Sequence, residues 1–293
     1  MVVTPASALY VPTYASRSPY LTPAEYLASP TGVNVSQLVV GGTPQQNADA
    51  LSQTIARASS LADDYCYQIL GATLDTQAGR YRVSNEGTLK VPLAFTPVIQ
   101  VTNVSVGPQP SMMASLPDLS NVWVGRKVTE IPILAMSFPM PGATSRTASG
   151  YLYAAVTYVN GYANSVLTAA TNGGATTILV DSTLGVLPGM QLTIHEPGVS
   201  ERVNVLSVTG NTATLAAPLV NLHSAGANVS ALPEAIKQAV VLLTSALIKT
   251  RGSEALVMSS MRGQPAKTAK VEDGGLEEID LAVEWLSRHR RTQ

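Results

Sequence analysis

The chain has 293 residues, 45% of them apolar and 13% charged, with 18 basic against 19 acidic side chains and a formal net charge of −1. That is enough apolar material to bury a sizeable core, and the near-neutral balance excludes a basic protein drawn to nucleic acid or anionic membrane by its overall charge. The charged fraction is about half the roughly 25% of an ordinary soluble domain, so Ser, Thr, Asn, Gln and Ala must cover much of the surface.

Met1 to Tyr10 lack the basic start and long apolar stretch of a signal peptide, and apolar runs such as Ala239 to Leu243 are far short of the ~18 residues of a membrane span. A soluble protein without an export signal is expected. Met1 to Arg17, with Tyr10, Tyr14 and two prolines but no period, reads as an extended arm. Thr22-Pro23-Ala24-Glu25 is a capping box with proline at the first helical position, which predicts a short helix to about Ala28. Thr43-Pro44-Gln45-Gln46 repeats the pattern and opens a helix over about 44–69, with Leu51, Ile55, Ala58, Ala62, Tyr65 and Ile69 on one face and Gly71 past its end.

Beyond Gly79 the apolar period falls from 3.6 to about 2. Strands are predicted at 81–83, 88–91 and 98–106, separated by turns at Asn85-Glu86-Gly87 and Phe95-Thr96-Pro97, then at 122–124, 128–134 and 152–159, with Asn160-Gly161 as a hairpin turn. Charge is scarce in the middle of the chain: 151–231 holds only Asp181, Glu196, Glu201 and Arg202. A weak repeat at an offset of about 36 residues relates Thr177-Ile178-Leu179 to Thr212-Ala213-Thr214-Leu215. With a turn at Gly210-Asn211, it predicts a small β-barrel or sandwich over 161–230.

Pro233 to Arg251 reads as a helix ending at Gly252, with Ile236, Ala239, Val240, Leu243 and Leu247 on its main face. Val241, Leu242 and Ile248 back that face, so the helix needs cover on more than one side, and these three residues are the candidate subunit interface. Gly252 to Gly275 reads as a polar loop carrying Lys267 and Lys270. A last helix over about 276–290 has Leu276, Ile279, Val283 and Leu286 on one stripe and ends in Arg288-His289-Arg290-Arg291, where positive charge suits a helix C-terminus.

Chemistry is sparsely marked. There is no G-x-x-x-x-G-K-[ST], G-x-G-x-x-G or G-x-S-x-G sequence, and His195, His223 and His289 have no metal-ligand spacing. The single Cys66 falls in a helical run and reads as a small buried hydrophobe. Asp63-Asp64, Glu272-Asp273 and Glu277-Glu278 read as solvated faces, because adjacent positions on a helix point about 100° apart. Glu196 and Glu201, flanking a Pro-Gly turn, are the best enzymatic candidates in a chain otherwise expected to be catalytically inert, without cofactor or metal. Tyr10 and Tyr14 in the arm, with Arg288, Arg290 and Arg291 at the other end, are the candidate partner-docking residues.

This order of elements, with Arg80-Tyr81-Arg82 leading to Gly87-Thr88-Leu89-Lys90-Val91-Pro92, then Val98 to Val106, Leu232-Pro233-Glu234-Ala235-Ile236-Lys237-Gln238-Ala239-Val240 and Ala282-Val283-Glu284-Trp285-Leu286-Ser287-Arg288-His289-Arg290, resembles the head-to-tail connector, or adaptor, proteins of tailed bacteriophages. The resemblance covers about 21–106 and 232–291, carried by apolar patterns and not by invariant chemical residues. A β-rich insertion of roughly 120 residues departs from the short family pattern.

The expected fold is α+β, with an arm at 1–20, a helical connector frame with a β-hairpin from 21–106 and 231–293, and a β-rich insertion at 107–230 whose 161–230 part is a separate module. The resemblance implies a non-catalytic virion protein of the neck, assembled in the host cytoplasm. It would form a homo-oligomeric ring of twelve copies below the portal protein and present its C-terminal parts toward that portal. Its other partners would be a tail terminator or another neck protein, and double-stranded DNA passing without sequence specificity; no membrane is involved. The alternative is a tail or decoration component whose β module binds glycan or a neighbouring protein, and a hydrolase using Glu196 and Glu201 is a third class.

Overall fold

The structure, a computed structural model, describes residues 18–125, 128–132, 150–250, 252–262 and 275–291. The chain is α+β. In order it forms α1 (Pro23–Ala28), α2 (Pro44–Cys66), β1 (Thr73–Arg82), β2 (Thr88–Pro92), β3 (Val98–Gly107), β4 (Ala114–Ser115), β5 (Trp123–Val124), β6 (Val128–Pro132) and β7 (Tyr151–Asn160). Next come β8 (Asn164–Val166), β9 (Thr177–Leu179), β10 (Gln191–His195), β11 (Glu201–Thr209), β12 (Thr212–Leu215), β13 (Asn228–Ser230), α3 (Glu234–Lys249), α4 (Glu254–Met261) and α5 (Gly275–Ser287).

Two compact units result. Among the described residues one spans 72–161, and the other combines 18–71 with 162–291. The first holds two sheets, β1-β7-β3-β4 and β2-β6-β5. Its centre is β7, which pairs antiparallel with β1 from Thr73↔Asn160 to Arg82↔Tyr151 and with β3 on its other edge. Leu89, Val91, Val104, Ile131, Val156 and Tyr158 fill its core.

The division therefore differs from the expected boundary at 106/107, which falls at the end of β3. A sheet whose central strand is β7 cannot be parted between β3 and β7 without losing a ladder. Asn160-Gly161 is likewise not a hairpin turn: β8 pairs with β13 in another sheet, and Gly161, at φ +89, donates its amide to the Pro97 carbonyl at 2.9 Å.

The second unit opens with both predicted capping boxes, Thr22 with Glu25 and Thr43 with Gln46. The helix after Thr43 stops at Cys66, short of the expected Ile69, because Tyr67 turns left-handed at φ 53. Asp63 enforces the turn: its buried Oδ1 accepts the Leu70 amide at 2.9 Å and the Tyr20 hydroxyl at 2.6 Å, folding the chain back over the helix end. Leu51, Ile55 and Ala58 then pack with Ile236, Ala239, Val240 and Leu243 of α3 and with Ile279, Ala282 and Leu286 of α5. The span after Gly252 contains α4, which buries Val257 and Met261 in the same core; Lys267 and Lys270 lie outside the described residues.

The remaining strands form a six-stranded sheet, β8-β13-β10-β11-β12-β9. Its edges meet at a Leu167↔Val180 bridge, where the Thr168 amide donates to the Leu179 carbonyl and the Asp181 amide to the Val166 carbonyl, both at 3.0 Å. The sheet expected as a barrel or sandwich is thus curled and barrel-like. The two similar segments of the weak repeat are β9 and β12, paired antiparallel with each other. Gly210-Asn211 is the turn between β11 and β12, as expected.

Burial separates two leucines of this unit. Leu243 is wholly buried between helices and Leu206 is 61% exposed on β11. Leu243→Ala should lower stability by about 2–5 kcal/mol and Leu206→Ala by no more than ~0.5 kcal/mol, measured as the shift in urea-unfolding midpoint.

Candidate assembly surfaces

Helix α3 is covered more completely by its own unit than its sequence implies. Val241 is only 4% exposed and lies in the core that α3 shares with α2 and α5, so its burial requires no second subunit. Leu242 and Ile248 pack against the same core and stay half-buried. Ile248 also lines a groove of about 590 Å³ together with Leu38, Val40, Thr54, Arg57 and Leu247. Among the described residues no acidic side chain lines it, and Arg57 makes a long, exposed contact with Glu254 at 3.8 Å. Val40 is 98% exposed at its lip.

The two chain ends differ in what can be placed. Tyr10 and Tyr14 lie outside the described residues. At the other end Arg288 is exposed, while the segment after it is docked on α2 of its own chain. The Arg290 guanidinium sits 5.2 Å from the Tyr65 ring centroid and 5.1 Å from that of Tyr67. Gln68 Nε2 donates to the His289 carbonyl at 2.8 Å, and the Arg291 amide donates to the Cys66 carbonyl at 2.9 Å. Burial, reinforced by the Asp63 charge, pushes the Cys66 thiol up to about 12, so it is inert at neutral pH.

Glu196 and Glu201 converge, and what joins them is His223, which the sequence does not connect to either. The turn after β10 and the start of β11 bring Glu196 Oε2 to 3.1 Å from His223 Nδ1 and Glu201 Oε2 to 3.4 Å from His223 Nε2. Glu201 also accepts the Val220 amide at 2.8 Å and the Asn221 amide at 3.0 Å, and Glu196 accepts the Ser224 amide at 3.1 Å. Burial raises both carboxyl pKa values, but the amide and histidine hydrogen bonds outweigh it and hold both groups below the ordinary 4.5. His223 is completely buried. A general acid or base needs a free proton-transfer position facing substrate; here both ring nitrogens face carboxylates and both carboxylates hold the backbone of one loop. The arrangement is a clasp on residues 220–224.

A second buried polar group, unmarked in the sequence, joins helices to barrel within this unit. Lys237 of α3, 4% exposed, pairs with Glu25 of α1 and donates to Asn228 Oδ1 of β13 at 2.8 Å. Burial pushes the lysine pKa down, against the upward pull of Glu25. His195 of β10 places Nδ1 3.8 Å from Glu25 while its buried Nε2 has no hydrogen-bond partner. Burial first and the Lys237 cation second lower the His195 pKa from 6.5 to about 4, so the ring is neutral at pH 7 and its contact with Glu25 is not an ion pair. Among the described residues no group of three or more His, Cys, Asp or Glu side chains is arranged to hold a metal ion, and no helix is long and apolar enough to cross a membrane.

No family model matches the chain, and no curated protein matches it. A solved chain from "Neck of empty GTA particle computed with C6 symmetry" is similar over 93% of this chain and 94% of its own length, at 12% identity and a TM-score of 0.36. A likeness of that size does not define a shared fold.

The contacts at the C-terminal segment and around His195 can each be tested. Removing residues 288–293 should lower the melting temperature by several degrees through loss of the Arg290 stacking and the Gln68 and Cys66 contacts, whereas Arg288→Ala alone should leave it within about a degree; differential scanning fluorimetry reads both. Between its unfolded value of 6.5 and its folded value of about 4, His195 binds its proton more readily in the unfolded chain. Its stabilising contribution is complete above pH 6.5 and is lost as pH falls toward 4. Glu196 and Glu201 lose theirs only below the ordinary carboxyl value of 4.5. Urea midpoints should fall from pH 7 to pH 5, and His195→Gln should flatten that decline.

Proposed function

We propose that this chain is a non-catalytic structural protein of a phage-type particle neck, a head-to-tail connector that assembles as a ring below the portal and extends the DNA channel toward the tail. The observation that carries the reading is one shared core. The helical parts of the two stretches that resemble connectors, 21–106 and 232–291, meet in it: Leu51, Ile55 and Ala58 of α2 pack with Ile236, Ala239 and Val240 of α3 and Leu286 of α5. A frame closed by both chain ends leaves the intervening residues free to carry added domains.

The ring would consist of copies of this chain, twelve to match the portal, with the portal protein on one side and a tail terminator or another neck protein on the other. Its channel would pass duplex DNA without reading sequence, consistent with a net charge of −1. The clasped Glu196-His223-Glu201 group supports a structural role for the barrel over hydrolysis. Tyr162 is the only Phe, Trp or Tyr over 162–231, so the barrel also lacks the aromatic platforms on which a sugar ring stacks, and a protein partner suits it better than glycan.

Native mass spectrometry and negative-stain imaging of the purified chain, alone and with portal protein added, test the reading. Rings of one defined copy number are expected, either alone or on portal addition. A chain that remains monomeric under both conditions would overturn it.

A further inference from the structure

The barrel loop 219–224 is presented in a way that its own fold does not explain. Its side chains alternate: Leu219 and His223 point inward and are buried, while Val220 and Leu222 are 80% and 59% exposed. The backbone is held at nearly every position. Gly174 donates to the Leu219 carbonyl, Leu219 to Ala175, and Thr171 and His223 exchange a pair of amide bonds at 2.8 Å. The Val220, Asn221 and Ser224 amides are held by Glu201 and Glu196. A loop this constrained has given up its conformational freedom on folding, so docking two apolar side chains from it costs little further ordering. Exposed apolar residues on a rigid, carboxylate-backed loop have the form of a plug.

The same unit holds a receptor of complementary form. The groove between α2, α3 and the 30–43 segment has room for several side chains, with Leu38, Leu247 and Ile248 in its walls and Val40 at its lip. Among the described residues that line the groove the charged one is Arg57, with Glu254 3.8 Å away outside the lining, whereas no Lys or Arg occurs over 203–236 and two carboxylates stand directly behind the plug. Val220 is 80% exposed, so the plug does not occupy the groove of its own chain.

Resting on the reading of the chain as a self-assembling ring protein, we infer that Val220 and Leu222 of one copy insert into the Val40–Ile248 groove of the next. Plug and groove are different surfaces, so the contact is head-to-tail; such interfaces propagate from copy to copy and close into a ring when the rotation between neighbours allows it. The clasp thereby gains a function: Glu196, His223 and Glu201 are positioning residues for the plug. Ile248 also takes its place at the interface through the groove, while Val241 remains a core residue.

Covalent trapping in the full chain tests this. A Val40→Cys, Val220→Cys double variant, oxidised under assembling conditions, should run as a ladder of multimers on a non-reducing gel, with neither single variant going beyond monomer. Cys66 does not interfere, being buried and inert. Val220→Asp with Leu222→Asp, both exposed and so compatible with a wild-type melting curve, should raise the concentration needed for half-assembly at least tenfold. Rings from the wild type without a ladder from the double cysteine variant, or undiminished assembly of the double aspartate variant, would overturn the plug-and-groove contact while leaving the ring reading intact. Covalent dimers from Val220→Cys alone would show a plug-to-plug contact and overturn it too. A wild-type chain that never assembles would overturn the ring reading and this inference with it.

Discussion

The second unit depends on one buried charge. Lys237 cannot be left alone in a core, because removing one partner of a buried pair typically costs about 3–5 kcal/mol. Its partners come from different parts of the chain: Glu25 from α1 and Asn228 from β13, with His195 of β10 alongside. Glu25 serves two elements at once. Its Oε2 accepts the Thr22 amide at 2.7 Å and closes the capping box, while Oε1 faces Lys237. Helix α1, helix α3 and the barrel are therefore tied together at one buried polar cluster, which links the barrel to the helical frame of this unit. A buried pair of this kind adds little net stability over a well-packed apolar replacement, while the loss of one partner is costly.

The parts of the fold legible in the sequence are those set by local rules. Both capping boxes form, the α2 face of Leu51, Ile55, Ala58 and Ala62 is the buried one, and the Gly210-Asn211 turn joins the strands expected. Where periodicity failed, the structure shows why. Strand β1 buries Thr73 and Asp75 and exposes Leu74, the inverse of an ordinary amphipathic strand. Asp75 tolerates that burial because it accepts from the Thr73 hydroxyl at 2.7 Å and from Asn160 Nδ2 at 2.6 Å, and Asn160 lies at the far end of β7. No local pattern encodes a partner more than eighty residues away. The same holds for the clasp. Glu196 and Glu201 stand out as two of the few charges in a charge-poor region, but His223 joins them only once the barrel has closed.

The Glu196-His223-Glu201 group also shows how similar side chains divide between chemistry and architecture. A histidine between two carboxylates has the residue types of an acid-base site. Burial of the ring, engagement of both nitrogens and use of the carboxylates by Val220, Asn221 and Ser224 amides make it a brace for a loop. On the connector reading that is where the insertion has value: a short helical frame supplies the ring, and the barrel supplies a braced loop whose Val220 and Leu222 face outward. The exposed groove beside α3 and the exposed residues of the barrel loop then belong to one assembly, built from a chain with little surface charge.

On the connector reading, this chain forms a ring in the particle neck. A cryo-EM map of the intact neck tests it most directly. The predicted result is a closed ring of this chain between portal and tail, with the helical frame of α2, α3 and α5 recognisable in each subunit and the barrel of one subunit against its neighbour. Density for the chain on the capsid exterior or along the tail, or its absence from the neck, would contradict the claim.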